Sequence, residues 1–501
     1  MRIGQAEQTH PEKEAAQLRK KESLNREQAA EAKYQRMTGE PLEPLILKLA
    51  APTIISMLVT AFYNLADTFF VRQLNSDSMV AAVGIVMPLM SIIQAIGFYH
   101  GHGSGNYISR AYGRRDMQDA ETMAATGFFL ALCFGAVLLG VGLPLRRSLV
   151  RMLGAKTPDT IENSIRYMRW ILLASPLMMG SIVLNNQLRF QGNAFFSMIG
   201  LTSGAVLNLF LDPLLIFQAG DATGLFGLRA SFGAGLGVSG AALATAISQC
   251  VSFTILAIGF SRSDNVKIRL RNFCPNAKYL RGILQGGLPS LARQGIASVS
   301  SACLNHAIGM FAGAALMIDA AQAAMTGVNR ITMVLASILI GFGQGFQPVC
   351  GFNYGAGRHD RVRDAFSFCV KLATVVLTVL AALGFLFARP LTNLVTGASA
   401  EASKIAVYAF RAQMVTLPLS SWVVLCNMML QSIGITGKAT VLAVSRQGLA
   451  FIPLVLLLPL LAGAAGADPL LGIELAQPAA DLVSFLIAIP IGLCELRKLQ
   501  T

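Results

Sequence analysis

Apolar stretches of about 20 residues follow one another along this chain, each long enough to cross a bilayer core of roughly 30 Å. They lie near 45–72, 79–104, 119–143, 166–188, 195–218, 232–260, 282–310, 320–346, 364–387, 405–430, 438–462 and 470–495. The runs are rich in Ala, Leu, Ile, Val and Gly and do not alternate, so they predict helices and not barrel strands. Prolines inside them (Pro88, Pro176, Pro213, Pro289, Pro418, Pro453 and Pro490) are tolerated where neighbouring helices satisfy the freed carbonyls.

Composition fixes the solvent. With 54% hydrophobic and 13% charged residues, the chain is far more apolar than a soluble domain. It reads as an all-α integral membrane protein. The formal net charge of +14 is mainly a topology signal and gives no reason to expect a nucleic-acid partner. Arg110, Arg114 and Arg115 follow the second span. Arg262, Lys267, Arg269, Arg271, Lys278 and Arg281 follow the sixth, and Arg358, Arg361 and Arg363 the eighth. The opposite loops hold fewer, chiefly Arg146, Arg147, Arg151 and Lys156. The positive-inside rule then places both termini in the cytoplasm.

The chain also says the same thing twice. Gly97, Phe98, Gly101, Gly113, Arg114 and Asp116 recur as Gly341, Phe342, Gly345, Gly357, Arg358 and Asp360 at an offset of 244. Ile46, Leu47 and Pro52 recur as Ile283, Leu284 and Pro289, and Pro176, Leu177, Asn185, Leu188 and Gly192 as Pro418, Leu419, Asn427, Leu430 and Gly434. Twelve transmembrane helices therefore fall into two six-helix lobes in a parallel internal repeat. The expected boundaries are a charged cytoplasmic tail at 1–43, a first lobe at 44–260, a basic linker at 261–281, a second lobe at 282–495 and a cytoplasmic end at 496–501. The tail is expected to be a solvated extension, partly helical or disordered, with a partner-binding helix as the alternative.

Several chemistries find no support. The eight cysteines are scattered singly, with no CxxC pair, so neither a disulfide framework nor a zinc site is implied. His100 and His102 flank Gly101 at a span end, where solvated positions are expected. No GK[ST] ending follows the Gly-rich stretches, so no phosphate loop is present. Nothing points to an enzyme.

What remains is charge inside the membrane, where an ionisable residue is a functional hypothesis by default. Asp67 lies in the first span and Asp212 in the fifth, with Asn208 one helical turn before Asp212. Aligning the halves sets Ile308 opposite Asp67 and Ile452 opposite Asp212. An acid found in one lobe only points to coupling more than to a requirement of the fold. Arg293, Arg330, Arg411 and Asp481 fall within second-half spans, where ion pairing or snorkelling competes with substrate contact. Met87, Met90, Met178, Met179, Met428 and Met429 suit an adaptable cavity wall or a core.

The stretches ILKLAAPTIIS, NLADTFFV, YGRRD, YGAGRHD, LRFQGN, NLFLDPLLI and GVSGAALATAIS together are similar to those of multidrug and toxic compound extrusion (MATE) transporters, over roughly residues 44–495. The resemblance implies two lobes around a central cavity and export of organic cations and amphiphilic drugs, driven by inward Na+ or H+. It implies a first-lobe cation site at Asp67, Asn208 and Asp212, with Thr245 as a further ligand. Tyr167, Met178, Arg293 and Asp481 are the candidates for a substrate cavity. No cofactor is expected beyond the coupling ion. The partners expected are small cationic or amphiphilic molecules and membrane lipid, and the chain is expected to act as a monomer in the plasma membrane. A flippase for lipid-linked oligosaccharide or peptidoglycan precursors, of the same superfamily, is the alternative. Its pyrophosphate would need a cationic cavity, for which Arg293, Arg330 and Arg411 are the candidates.

Overall fold

A computed structural model of the chain describes residues 27–73, 76–218, 233–262, 266–311, 315–396 and 400–500. A helix over 27–39, α1, precedes the first lobe. The first lobe comprises α2 (Leu42–Arg72), α3 (Asp77–Gly113), α4 (Met117–Met152), α5 (Pro158–Phe190), α6 (Ala194–Ile216) and α7 (Val238–Arg262). The second lobe opens with α8 (Ala277–Phe311), α9 (Ala315–Gly355) and α10 (His359–Leu386), followed by a short helix, α11 (Ala388–Thr396). Its next two spans are interrupted. α12 (Ala400–Thr416) and α13 (Ser420–Ile433) meet at a 3-10 turn around Pro418, which has no N–H to continue an α-helical ladder. α14 (Thr436–Val444) and α15 (Phe451–Ala464) meet at a π-helical turn, Ser445–Ala450. α16 (Pro469–Lys498) closes the lobe.

Among the described residues, 11 helical spans are long and apolar enough to cross a membrane. The twelfth is α8, diluted by Lys278, Arg281 and Arg293 but matched to α2 by the repeated Ile-Leu and Pro. The chain is thus an all-α membrane protein of two six-helix lobes.

The duplication extends to single hydrogen bonds. Asn185 donates to the carbonyl of Ser197 at 2.8 Å, and Asn427 donates to that of Ala439. Gly192 and Gly434 end the corresponding helices with φ of 81° and 91°, a left-handed conformation that glycine adopts without a Cβ penalty. The basic loops align at 242 and not at 244. Arg115 (φ 60°) and Gly357 (φ 72°) are the left-handed residues of the two turns. Their amides bond back to Tyr112 and Tyr354. The six identities at 244 are displaced by two residues from this geometry. Asp116, which caps α4 by accepting from the Asp119 amide, therefore corresponds to Arg358, which cannot cap.

The lobes meet through backbone. A Cβ on Gly103 would lie 2.4 Å from the Ile283 carbonyl oxygen, one on Gly345 would lie 2.5 Å from Ala50 Cα, and one on Gly355 2.2 Å from the Arg110 carbonyl. Thr53 donates to the Gly341 carbonyl at 2.6 Å, and Arg110 to the Ser432 carbonyl at 2.6 Å. Asp119, 6% exposed, receives Tyr107 from its own lobe and Lys278 and Tyr279 from the start of α8. All these contacts lie in the halves of the helices nearest the basic loops. The lobes are therefore sealed against each other on the basic face.

The tail adds a strap across that seal. Met37 and Thr38 are buried, and the carbonyls of Met37, Thr38 and Glu40 accept hydrogen bonds from Asn353, Arg358 and Arg361. On the first-lobe side, Glu31 pairs with Arg115 at 2.8 Å, and the same guanidinium lies 4.2 Å over the Tyr34 ring. The described part of the tail is thus helical and largely open to solvent, but it is docked on both basic turns through Met37, Thr38 and Glu31. Backbone carbonyls serve as its acceptors, and these leave no mark in the sequence.

Candidate functional site

One stripe of α6 builds the first-lobe site. Gly200, Gly204, Asn208 and Asp212 follow at intervals of four and are all buried, so they share one face of the helix. The glycines let α7 approach closely: a Cβ on Gly204 would lie 2.9 Å from Ser252 Cβ and 3.0 Å from the Ser248 carbonyl. One turn on, the close approach brings Thr245 to Asn208. With its amide oriented to satisfy both ends, Asn208 donates to Asp212 Oδ2 at 3.1 Å and accepts the Thr245 backbone N–H at 3.2 Å. Asp212 is 0% exposed. The buried Thr245 hydroxyl has no hydrogen-bond partner among the described residues. An unpartnered oxygen in an apolar setting is costly. Here it stands beside an amide held against a carboxylate, a donor set that suits a small cation. Asp67 belongs to α2, and its side chain lies outside the described residues.

The second lobe buries charge of its own in the corresponding span. The pairing of Pro213 with Pro453, at an offset of 240, does not hold in the structure: α6 begins at Ala194 and α14 at Thr436, an offset of 242, and the π-helical turn adds a residue to the second copy, yet α14 and α15 still carry no acid to correspond to Asp212. Gly448 sits in the π-helical turn, where Arg446 also lies. Arg446 grips Asp481 of α16 through Nε at 2.6 Å, and Gln477 and Thr416 also bond that carboxylate. The turn borders a cavity of about 390 Å³. Met325, Met333, Ile340 and Leu304 supply apolar wall, and Arg293, Gln413, Asn427 and Arg446 supply polar wall.

The residues read from the sequence scatter accordingly. Asn208, Asp212 and Thr245 come together. Arg293 lines the second-lobe cavity, and Asp481 stands behind Arg446. Tyr167 and Met178 do not border it: both are packed in the first lobe, with the Tyr167 hydroxyl 3.8 Å from Met90 Sδ. Arg411 donates to the Phe385 carbonyl and lies over its ring, while Arg330 borders an apolar pocket with Phe69, Phe210 and Pro213. His100 and His102 are buried, not solvated. His102 is 3.2 Å from Arg189, a buried guanidinium that also bonds Asn186. Arg446 and Glu474, a buried acid of α16, escaped the sequence reading. The interruption of span eleven at Arg446 has no proline or glycine pair to announce it.

The MatE family profile matches residues 52–214 and 295–457, one copy in each lobe. The chain is 25% identical over 451 residues to the multidrug export protein MepA of Staphylococcus aureus strain MRSA252, covering 89% of this chain and 94% of that protein. It is 24% identical over 423 residues to the MepA of Staphylococcus haemolyticus, covering 84% and 88%. Among solved structures, a crystal structure of MATE in complex with MaL6 superposes with a TM-score of 0.82 at 28% identity, covering 93% of this chain and 99% of that one. A MOP superfamily transporter from Pyrococcus furiosus superposes with a TM-score of 0.81 at 27% identity, covering 93% and 98%. With the profile matched in both halves and the whole fold superposed, the chain belongs to the MatE family of multidrug and toxic compound extrusion transporters.

Proposed function

We propose that this protein is a multidrug efflux antiporter of the plasma membrane, exporting amphiphilic cations in exchange for Na+ or H+. The observation that carries the reading is the buried grouping of Asp212, Asn208 and Thr245 in one lobe. It supplies a site for a cation, and the corresponding helices α14 and α15 of the other lobe carry no acid. Family membership and the relatives named for multidrug export support the class of cargo. By the positive-inside rule the basic face is cytoplasmic, so the sealed lobes correspond to the arrangement closed to the cytoplasm.

In the proposed cycle, Asp212 and Asp67 take the coupling ion from outside and are neutralised, which weakens the hold on a cationic drug. Release of the ion to the cytoplasm restores the negative charge and the affinity for the next drug molecule. Drug and ion must each weaken the other's binding, as reciprocal linkage requires. The lobes rock about the glycine seam to expose the site alternately.

Replacing Asp212→Asn and measuring ethidium efflux from vesicles under imposed pH or Na+ gradients tests this directly. Gradient-driven efflux at the native rate would remove Asp212 from the coupling step. The arginines of the second-lobe cavity favour a second reading, flipping of a lipid pyrophosphate. It predicts transport of a polyprenyl pyrophosphate and none of ethidium.

A further inference from the structure

We propose that a basic groove between α11 and α12 binds the headgroup of an anionic phospholipid, in the leaflet opposite the basic turns. The inference goes beyond the transport reading and does not depend on it.

The groove lies where basic residues are least expected. α10 starts at one basic turn and α13 returns to that face at Gly434, so α11 and the start of α12 stand at the far membrane face. By the positive-inside rule that face should be poor in Lys and Arg. Yet Arg389, Lys404 and Arg411 border one cavity of about 480 Å³, together with Asn393, Ser403 and Tyr408. No acid borders it. Glu401 lies nearby and pairs with Lys404 at 3.1 Å.

The donors outnumber what the protein offers them. Arg411 commits Nε to the Phe385 carbonyl at 3.3 Å, and its Nη groups bond nothing among the described residues. The Arg389 guanidinium has no partner there either. Asn393 accepts from Ser403 at 2.6 Å through its oxygen, which leaves its amide N–H groups free to donate.

The setting is lipid. Leu386, Phe387 and Leu394 are 71%, 57% and 82% exposed beside Arg389, and Val415, one turn deeper than Arg411, is 69% exposed. Arg411 thus projects from a lipid-facing stripe at the level where α10 ends. A guanidinium at such a place reaches for the interface. The phosphodiester of a headgroup is the anion found there, and its oxygens match the guanidinium fork in two parallel bonds.

The internal repeat builds the same basic pair in the first lobe. At the structural offset of 242, Arg147 and Arg169 correspond to Arg389 and Arg411, and Met152, also 82% exposed, corresponds to Leu394. Glu162 there takes the place of Lys404 and pairs with Arg166 at 3.1 Å. The cation at Lys404 belongs to the second copy alone, and that copy is the one assigned to the lipid.

The test places a bimane fluorophore on Leu394→Cys of the full chain, with the exposed Cys133 and Cys494 replaced by Ser. The protein is held in nanodiscs of phosphatidylglycerol mixed with phosphatidylcholine, and bromine on the acyl chains of one lipid or the other quenches the label. Phosphatidylglycerol should be enriched about fivefold at the label over its bulk fraction, the effect of about one basic side chain at an anionic surface. Arg389→Gln combined with Arg411→Gln should bring the enrichment close to one, and Arg411→Lys should keep part of it. Lys404→Gln, at a side chain 74% exposed, should also lower it and covers the case in which the arginine variants fail to fold. A label on Leu461→Cys, at the end of α15 on the same membrane face, should show no enrichment. Absence of enrichment at Leu394→Cys with the groove intact would overturn the inference. So would an enrichment that survives both the double arginine variant and Lys404→Gln, or an equal one at Leu461→Cys. Loss of the enrichment on adding inorganic phosphate at matched ionic strength would also overturn it, assigning the groove to a soluble phosphate. No gradient is applied, so each of these outcomes leaves the antiport reading where it stood.

Discussion

Arg110 of α3 reaches the backbone carbonyl of Ser432 at the end of α13, 2.6 Å away, and joins the first lobe to the second. The bond is buried and charge-assisted, and its acceptor belongs to the tight turn that ends at Gly434. Removing it with Arg110→Ala should cost the sealed arrangement about 1.5–3 kcal/mol. Spin labels on the loops preceding α4 and α10 should then report a longer and broader distance across the basic face. An unchanged distribution would mean that the glycine seam suffices without it.

The seam itself has no room for a side chain. At Gly345 a Cβ would sit 2.5 Å from Ala50 Cα and 2.8 Å from Ala50 Cβ. Neither neighbour can swing aside as a flexible side-chain tip would. Gly345→Val should hold α2 and α9 apart at a cost of about 1–3 kcal/mol. Transport should fall with it, while Gly140→Ala, in open space on α4, should fold and transport normally.

Arg446 and Asp481 form a buried pair with side chains 24% and 3% exposed. Breaking such a pair from one side commonly costs about 3–5 kcal/mol, whereas replacing both partners by apolar groups is often neutral. Asp481→Leu alone should therefore lower the thermal midpoint more than Asp481→Leu combined with Arg446→Met. A double-mutant cycle showing additive losses would contradict the coupling.

Thr245 distinguishes the two driving ions. Its hydroxyl is a neutral oxygen with no partner among the described residues, useful to Na+ and dispensable to a proton carried by a carboxylate. Thr245→Val should raise the Na+ concentration for half-maximal efflux about tenfold, the loss of about one ligand bond worth 1.4 kcal/mol. Efflux that follows the pH gradient undisturbed in this variant assigns the coupling to H+.

The strap over 27–40 can be removed without entering the membrane. A chain starting at Pro41 would lose the Glu31–Arg115 pair and the carbonyls that receive Asn353, Arg358 and Arg361. It should still insert and bind dye. The rate at which the basic face opens, followed by labelling of a cysteine placed at Gln347, should rise several-fold. An unaltered labelling rate would show that the strap only covers the surface.

Hydropathy made eleven of the twelve spans legible because lipid imposes a length and a composition on each helix, while α8, diluted by charge, is marked by the repeat. The repeat made the two lobes legible because both copies retain the Asn and Gly that close the same turn, Asn185 with Gly192 and Asn427 with Gly434. Asn208 and Asp212 were visible through their four-residue spacing in an apolar helix. The partner of Asp481 was not, because Arg446 lies 35 positions away on another span and nothing local marks the π-helical turn that aims it. The 244 register misled for a related reason: identical residues in the basic loops stand two places from the geometry they resemble. His102 looked like a surface residue in GHGSG, yet it is closed in by the rings of Phe98 and Phe190.

The strap is held from the second-lobe side through main-chain oxygens, so the three acceptors survive any change of side chain that keeps the buried volume of Met37 and Thr38. Its exposed positions, such as Gly39 and Glu40, are free to drift while the clasp persists. Evolution could therefore adjust how firmly the basic face is closed by repacking the strap, leaving every membrane span untouched.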